Sequence, residues 1–238
     1  MNGDSKTLVI IPARNEKDNI EHVISEIRSS NRALDILVVN DGSTDETSEI
    51  ARKLGVRTAD IPFSLGIGGA VQTGFKVAQC LDYESVVQVD ADGQHDPSCI
   101  QDVMKPITSG DADISIGSRR LEKQTLGPSV VRSIGIGFFS WLTSRATSQL
   151  VTDCSSGFRA LNRRAFTLFS RYYPADFPDA QALVYAHRAG LRIQEVPVKF
   201  RPRVHGKSSL GPRKMIYYPF KETLSIAIMM TRRQKSNA

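Results

Sequence analysis

The sequence predicts an α/β fold, a mostly parallel sheet flanked by helices, and three observations support this class. Short apolar runs typical of buried strands alternate with segments in which apolar residues recur at helical spacing. Polar clusters follow several of these runs, as expected for a parallel sheet with a binding site at one edge. The 238 residues, of which 40% are hydrophobic and 24% charged, favour one globular domain with a sizeable core.

Five strands are predicted from apolar runs that end at polar or turn-forming residues. They are Thr7–Ile11, Ile36–Val39, Val56–Ala59, Val86–Val89 and Ala112–Ile116. Helical spacing and capping signals place helices between the strands. The predicted helices are Asn15–Ser29, a second that opens at the capping box Ser43-Thr44-Asp45-Glu46 and ends at Gly55, a third from the glycine-rich stretch Leu65–Ala70 to near Leu81, and Ile100–Ile107.

Polar clusters follow four of the predicted strands. They are Pro12–Glu16, Asn40–Asp45, Asp90–Asp96 and Gly117–Arg120. Ligands of open α/β sheets bind beyond the carboxyl ends of the strands, so these clusters predict a site at that edge.

The fourth strand ends in the sequence DADGQHDP, where Asp90, Asp92 and Gln94 stand two residues apart. In an extended backbone the three side chains point the same way. Two carboxylates and an amide oxygen suit Mg²⁺ or Mn²⁺, which usually complete their coordination with water and substrate phosphates. The alternative is a loop in which Asp acts as turn former and cap, since Asp96-Pro97 can start a helix.

Seven motifs carry a resemblance to a known family. They are IIPARNE (10–16), VVNDGSTDET (38–47), LGIGGAVQTGF (65–75), QVDADGQHDP (88–97), IGSRR (116–120), SSGFRA (155–160) and RVHGKSSL (203–210). In this order, and over most of the chain, they resemble the family 2 glycosyltransferases, which have the nucleotide-sugar-binding fold called GT-A. The closer similarity is to the polyprenol (dolichol) phosphate sugar synthases, which transfer mannose or glucose.

The resemblance implies a role for each matching residue on the donor side. Pro12, Arg14 and Glu16 match the motif that holds the base and ribose, and Asp41 matches an acid that contacts the nucleoside. Asp90, Asp92 and Gln94 match the metal-binding set over the diphosphate, and Arg119 matches an arginine near the donor. An Asx turn after the strand is the structural alternative for Asp41.

On the acceptor side the resemblance assigns two further groups. The segment that lines the acceptor is matched by Ser156, Gly157, Phe158 and Arg159. A basic loop that closes over phosphates is matched by Arg203, His205, Lys207 and Ser208. Arg159 could instead be a structural ion-pair partner, and His205 an ordinary surface residue. Donors such as Arg119, Arg203 and Lys207 would stabilise a departing diphosphate.

The acceptor-side base is where the chain departs from the family's pattern. Asp179 is the candidate, but Ala180 and Gln181 follow it where relatives often carry a second acid. A lipid phosphate is already anionic near neutral pH and needs little help from a base, whereas a sugar hydroxyl needs one. The sequence therefore favours a phosphate acceptor slightly. Asp179 could equally orient a basic residue or cap the helix that runs to Ala189.

The net charge of +6 is concentrated at the end of the chain. Residues 199–238 contain ten lysines and arginines but one acid. We divide the chain into a glycosyltransferase domain, 1–212, and a basic amphipathic C-terminal helix, 213–238. The apolar run Leu224–Met230 is far shorter than the roughly 20 residues of a membrane span. The helix would lie in the membrane interface on five apolar residues, with basic residues near anionic headgroups. The apolar residues are Tyr217, Tyr218, Phe220, Leu224 and Ile228, and the basic residues are Lys214, Arg232 and Arg233.

Packing of this helix on the domain's own core, or on a protein partner, is the competing interpretation. A second apolar cluster, Phe138, Phe139, Trp141 and Leu142, is either an acceptor-side amphipathic helix or plain core. The odd number of cysteines, three, predicts reduced thiols, and the N-terminus does not match a signal peptide.

The sequence thus predicts an inverting, Mg²⁺- or Mn²⁺-dependent transferase, with Asp92, Arg119 and Asp179 as its catalytic residues. Its substrates would be a GDP- or UDP-sugar and a polyprenyl phosphate or other lipid-linked acceptor. We expect a cytoplasmic protein, peripheral at the cytoplasmic face of a membrane, with or without a separate membrane subunit. The alternative is transfer to a saccharide hydroxyl in surface polysaccharide assembly. The high pI is no sufficient sign of nucleic-acid binding, since the chain has no aromatic-basic RNA motif.

Overall fold

The computed structural model describes residues 6–31, 33–121, 130–174, 178–202, 221, 223–229 and 231. For residues 130–134 it describes the backbone only. Within these residues seven strands form one sheet in the order β3-β2-β1-β4-β6-β5-β7. The strands are β1 Thr7–Ala13, β2 Asp35–Asp41, β3 Arg57–Ile61, β4 Ser85–Gln88, β5 Ile114–Ser118, β6 Arg159–Asn162 and β7 Ile193–Pro197.

Helices cover both faces of this sheet. They are α1 Ile20–Ser30, α2 Thr47–Lys53, α3 Gly66–Cys80, α4 Ile100–Thr108, α5 Val130–Thr147, α6 Arg163–Arg171 and α7 Asp179–Arg188, with a short 3₁₀ turn at Pro97–Cys99. The five predicted strands and four predicted helices are present, and the predicted α/β class is confirmed.

The two faces of the sheet follow from the alternation of side chains along β1. Leu8 and Ile10 belong to one buried core, which also contains apolar residues of α3, α6 and α7. Val9 and Ile11 belong to a second core, which α1 and α4 cover. Helix α3 approaches β1 closely at Gly74, where a Cβ would stand 2.4 Å from Cγ2 of Ile10. Because both faces are buried, β1 is an unbroken apolar run.

Strand directions place the carboxyl ends of four strands at one edge. Strand β1 is parallel to β2 and to β4. Strand β6 lies between β4 and β5 and is antiparallel to both, so β4 and β5 point the same way. The polar clusters after β1, β2, β4 and β5 therefore share one edge, as the sequence predicted.

The local prediction at the start of α2 was wrong in detail. The helix begins at Thr47, and its flanking residue Glu46 makes no capping hydrogen bond through its side chain. Oδ1 of Asp45 instead accepts from the backbone N–H of Thr47, 3.1 Å away, and from its hydroxyl. Gly55 follows the end of the helix as predicted, with a φ of +69° in the left-handed region that glycine adopts without strain.

The final helical segment, 223–229, packs on the domain on one side only. Ile226 is buried in the core that α3, α6 and α7 share, and Met229 packs against that core. Leu224 and Ile228 are 51% and 47% exposed. The competing interpretation thus holds for Ile226, while Leu224 and Ile228 face outward. Tyr217, Tyr218, Phe220, Lys214, Arg232 and Arg233 lie outside the described residues.

Candidate functional site

The loops after β1 and β2 are joined by hydrogen bonds between their backbones and side chains. The N–H of Asn15 donates to Oγ of Ser43, 3.0 Å away, and Oδ1 of Asn15 accepts from the N–H of Thr44 at 2.8 Å. The N–H of Glu16 donates to the hydroxyl oxygen of Thr47 at 2.9 Å. These bonds bring the two predicted nucleoside-binding motifs into one surface.

Asp41 caps a distant helix instead of forming the Asx turn that the sequence suggested. Its carboxylate accepts from the N–H groups of Leu65, at 2.7 Å, and Gly66, at 3.0 Å, which open α3. The hydroxyl of Ser64 donates to the same carboxylate at 2.7 Å, and Nη1 of Arg14 donates to that hydroxyl at 2.8 Å. Arg14 and Asp41 are therefore linked through Ser64, and a nucleoside contact by either one stays a prediction.

Glu16 and Pro12 have structural contacts of their own. Pro12 is buried within β1, and the carboxylate of Glu16 accepts from the side-chain amide of Asn19 at 2.7 Å. The backbone carbonyl of Glu16 also accepts the N–H groups of Asn19 and Ile20 at the start of α1. Glu16 thus fixes the entry to α1, and its predicted role at the ribose is untested.

The loop after β4 has the compact geometry of an Asx turn at Asp92. Oδ1 of Asp92 accepts from the N–H of Gln94, 3.1 Å away. The side-chain amide of Gln94 donates to the carbonyl of Arg201 at 3.4 Å, and the N–H of Arg201 donates to the carbonyl of Gln94 at 2.8 Å. Arg201 in turn pairs with Asp96, at 2.9 Å, and with Glu26. The segment before the predicted basic loop is therefore fastened to the loop after β4.

His95 contacts Asp90, and no role was predicted for it from the sequence. Its Nδ1 accepts from the N–H of Asp90 at 3.0 Å, and its Nε2 stands 3.5 Å from Oδ2 of the same residue. Burial lowers the pKa of His95, although the charge of Asp90 opposes this effect. An uncharged ring agrees with Nδ1 acting as an acceptor.

Asp90 is bounded on another side by Gly157 of the predicted acceptor segment. A Cβ at Gly157 would lie 2.9 Å from both carboxylate oxygens of Asp90, closer than real Cβ atoms come to a neighbour. The absence of a side chain at this position is what lets the two loops meet. Asp90 nevertheless keeps 36% of its side chain exposed, so its oxygens remain accessible.

Arg119, which follows β5, forms a bidentate ion pair with Asp153. Nε and Nη2 donate to the two carboxylate oxygens at 2.7 and 2.8 Å, and Nη2 also donates to Oγ of Ser155. The guanidinium lies 4.8 Å from the ring centroid of Phe200. Burial alone would lower the pKa of Arg119, but the hydrogen bonds and charge of Asp153, with smaller effects of Asp179 and Asp90, raise it above its ordinary value. Its Nη1 has no hydrogen-bond partner among the described residues.

Arg159 is buried and binds backbone carbonyls. It donates to the carbonyls of Ser156 and Cys154 at 2.8 Å each, and to that of Asp179 at 3.5 Å. Ser156 is likewise buried, and its hydroxyl accepts from the N–H of Phe158. These contacts give both residues a part in shaping the acceptor segment and in joining it to the start of α7, where Asp179 stands.

The donor set after β4 fits a hard divalent cation that also binds a substrate phosphate. Two carboxylates, of Asp90 and Asp92, are close in sequence, and Asp90 is accessible. One or two carboxylates with substrate oxygens are what Mg²⁺ commonly uses. Among the described residues no three His, Cys, Asp or Glu side chains form a metal-binding group.

The structure brings most of the predicted residues to one edge and adds two for which no role was predicted, His95 and Asp153. His95 stands inside one quoted motif and Asp153 two residues before another, and these positions were the available signal. Arg203, His205, Lys207 and Ser208 lie outside the described residues. The three cysteines are free, as predicted.

Comparisons with known proteins agree on one family. The model of the family described as "Glycosyl transferase family 2" matches residues 8–169. A protein of Methanocaldococcus jannaschii, "Uncharacterized protein MJ1222", is 34% identical over 194 residues, which cover 80% of this chain and 79% of that protein. The "UDP-N-acetylglucosamine--dolichyl-phosphate N-acetylglucosaminyltransferase" of Methanococcus voltae is 31% identical over 82% of this chain and 86% of its own length. An "Undecaprenyl-phosphate mannosyltransferase" of Micrococcus luteus is 30% identical, with 87% and 88% covered.

Solved structures show a similar fold. Glucosyl-3-phosphoglycerate synthase from Mycobacterium tuberculosis, crystallised with Mn²⁺, UDP and glucosyl-3-phosphoglycerate, superposes with a TM-score of 0.73 at 19% identity, over 98% of this chain and 82% of the other. In the described part of this chain, every helix is too short or too polar to span a bilayer.

Proposed function

Because the chain belongs to glycosyl transferase family 2, we propose that it transfers a sugar from a nucleotide diphosphate to a polyprenyl phosphate at a membrane surface, with inversion at the anomeric carbon. The relatives from Methanococcus voltae and Micrococcus luteus, whose names state a dolichyl or undecaprenyl phosphate acceptor, support this choice. The structural observation that carries the proposal is the accessible Asp90 carboxylate beside Asp92 and Arg119, at the edge where the strand ends meet.

On the donor side, Asp90 and Asp92 would hold a divalent cation, Mg²⁺ or Mn²⁺, which neutralises charge on the diphosphate leaving group when bound. The Nη1 group of Arg119 is directed by the ion pair that its other nitrogens make with Asp153. A donor fixed in this way stabilises negative charge on the leaving oxygen without reorganising. The surface formed by the loops after β1 and β2 would hold the nucleoside, with Arg14 and Asp41 linked through Ser64.

On the acceptor side, an oxygen of the lipid phosphate would attack the anomeric carbon opposite the diphosphate. The new bond joins that oxygen to carbon as the bond from carbon to the diphosphate breaks, which inverts the configuration. The phosphate is already anionic, so no strong base is required. Asp179 stands at the start of α7, within electrostatic reach of Arg119, and would orient cationic groups there.

Exposed apolar side chains on two helical segments support recruitment to a membrane. Leu224 and Ile228 are one helical turn apart and both face outward, while Ile226 anchors the same segment in the core. Phe138 and Trp141 are exposed on α5, and Trp141 is 62% exposed. The ten basic residues in 199–238 would add attraction to anionic lipids.

The test is synthesis of a lipid-linked sugar by the purified protein. UDP- and GDP-sugars are offered in turn with undecaprenyl or dolichyl phosphate in detergent, with Mn²⁺, with Mg²⁺ or with a chelator. We expect product with at least one donor when a cation is present, and none with the chelator. An Asp92→Asn variant, which keeps the size of the side chain, should make far less product. Transfer to saccharide acceptors but to no lipid phosphate would contradict the proposal.

A further inference from the structure

The ring of His95 is held in one orientation by its surroundings. It stacks on Phe158, with centroids 4.9 Å apart and an interplanar angle of 12°, and meets the edge of Phe200 at 4.9 Å and 81°. Its backbone also forms an antiparallel bridge with Phe200. His95 is buried, with 3% of the residue exposed. Because the ring packs against these two aromatic side chains, it cannot turn without displacing them.

This orientation points both ring nitrogens at one residue. Nδ1 accepts the N–H of Asp90, and Nε2 stands 3.5 Å from the carboxylate oxygen Oδ2. An acceptor nitrogen carries no proton, so in the neutral ring the proton is on Nε2. The N–H dipole at Nε2 therefore faces the carboxylate, at a distance slightly beyond an ordinary hydrogen bond.

The carboxylate of Asp90 is thus confined from two directions. Gly157 bounds it at van der Waals distance on one side, since even a Cβ there would be 2.9 Å from both oxygens. His95 fixes the backbone amide of Asp90 and faces Oδ2 on the other. Partners of this kind commonly orient the ligands of metal ions and increase metal affinity.

We propose that His95 is a positioning residue, which orients the carboxylate of Asp90 toward a divalent cation bound with the nucleotide diphosphate. This inference rests on the proposed function, because it concerns the donor site of the same reaction. The ring itself touches neither sugar nor phosphate. Its contribution is to preserve one orientation of Asp90, so its removal should weaken binding of the cation more than binding of the nucleotide.

Two substitutions separate the two contacts. His95→Asn keeps an acceptor close to the position of Nδ1 but lacks any group that reaches Oδ2, whereas His95→Gln extends an amide toward the position of Nε2. The control is His22→Asn, because His22 is exposed on α1 and pairs with Glu26 alone among the described residues. The measurements are calorimetric titration of Mn²⁺ into protein saturated with UDP, titration of UDP without metal, and the melting temperature.

We expect His95→Asn to weaken Mn²⁺ binding by about tenfold, in the range found for residues that orient metal ligands. His95→Gln should weaken it less, and His22→Asn should leave it unchanged. Binding of UDP without metal should be the same in all four proteins. If His95 were purely structural, its substitution would lower the melting temperature but would not weaken Mn²⁺ binding more than UDP binding. A folded His95→Asn variant with the Mn²⁺ affinity of the wild type would overturn the inference.

A second measurement needs no variant. The ¹⁵N shifts of the His95 ring in the wild-type protein report which nitrogen carries the proton, and we expect Nε2. A proton on Nδ1 would overturn the inference even if both variants failed to fold. If the wild-type protein bound neither Mn²⁺ nor UDP, the proposed function would fall and this inference with it. Binding by the wild type that the His95 variants preserve would overturn the inference alone.

Discussion

Arg119 and Asp153 form a two-pronged ion pair between positions 34 residues apart, and the side chain of Asp153 is 1% exposed. Glu195 of β7 fixes the loop that carries Asp153, because its carboxylate accepts the N–H groups of Thr152 and Asp153 at 2.8 to 3.0 Å. The orientation of Arg119, which follows β5, thus depends on the loop before β6 and on Glu195 of β7.

Substitution of Asp153 should destabilise the protein strongly. Asp153→Asn keeps the shape of the side chain but leaves the charge of Arg119 without its partner, and breaking a buried pair in this way costs about 3–5 kcal/mol. The measurement is the free energy of unfolding from urea denaturation. Asp82→Asn is the control, since it removes the same charge from an exposed pair with Arg163 and should cost less than about 1 kcal/mol. Equal losses would contradict the structural role of the pair.

The contribution of Asp153 should also depend on pH. Burial alone would raise the pKa of this carboxyl, but the hydrogen bonds from Arg119 outweigh burial and hold the pKa below its ordinary value. The stabilisation is therefore fully present above the unfolded-state pKa of about 3.9 and is lost as the pH falls through the lower folded-state pKa. The difference in unfolding free energy between wild type and Asp153→Asn should be constant at pH values more than about one unit above the unfolded-state pKa. It should shrink when the pH falls below about 3.9. A difference that grew on acidification would contradict this sign.

The local pattern was sufficient for the parallel strands but not for the strands that complete the sheet. β1, β2 and β4 are apolar runs because both faces are buried. Strand β6, with sequence RALN, has no β-branched residue, and its position between β4 and β5 depends on pairing with residues more than forty positions away. Strand β6 therefore forms because of its tertiary contacts, which the β-propensity of its residues does not predict.

The same distinction applies to the candidate site. The sequence predicted the edge, because polar residues after apolar strands are a local signal, and the family resemblance supplied the motif residues. The neighbouring sequence could not predict which of these residues have structural partners, because the partners are distant along the chain. Asp41 caps a helix 24 residues further on, and Arg159 binds the carbonyl of Asp179, 20 residues away. Residues that orient others, such as His95, are found only when the fold brings them together.

Asp41 should contribute to stability whether or not it contacts a nucleoside. Asp41→Ala removes an acceptor for three donors at the start of α3, and loss of a cap of this kind costs about 0.5–2 kcal/mol. Asp41→Asn keeps one acceptor oxygen and should lose less. Urea denaturation measures the stability, and UDP titration of the Asn variant asks whether the nucleoside needs the charge. Unchanged stability of the Ala variant would contradict the capping role.

The outward face of the last helical segment should matter for membrane binding. Leu224→Glu replaces an exposed apolar side chain with a charge. If Leu224 enters the membrane, its removal costs about 1.5–3 kcal/mol of transfer free energy, or roughly tenfold or more in partitioning. Co-sedimentation with vesicles containing anionic lipid measures the effect. Ala33→Glu is the control, because it adds the same charge to an exposed position just before β2, at the opposite edge of the sheet. Vesicle binding that both variants weaken equally would indicate a charge effect only.

Gly157 should be the position in the acceptor segment that least tolerates a side chain. Gly157→Ala would press a methyl group against the carboxylate of Asp90, which must then leave the orientation that His95 and Gly157 define. A displacement of this size in a site of positioned groups can reduce turnover by on the order of a hundredfold. Turnover with lipid phosphate and Mn²⁺ affinity in the presence of UDP should both fall. Gly135→Ala is the matched control, since a Cβ there meets no atom within 4 Å and alanine favours the helix α5 by about 1 kcal/mol. Normal Mn²⁺ affinity in Gly157→Ala would show that the cation does not depend on the orientation of Asp90.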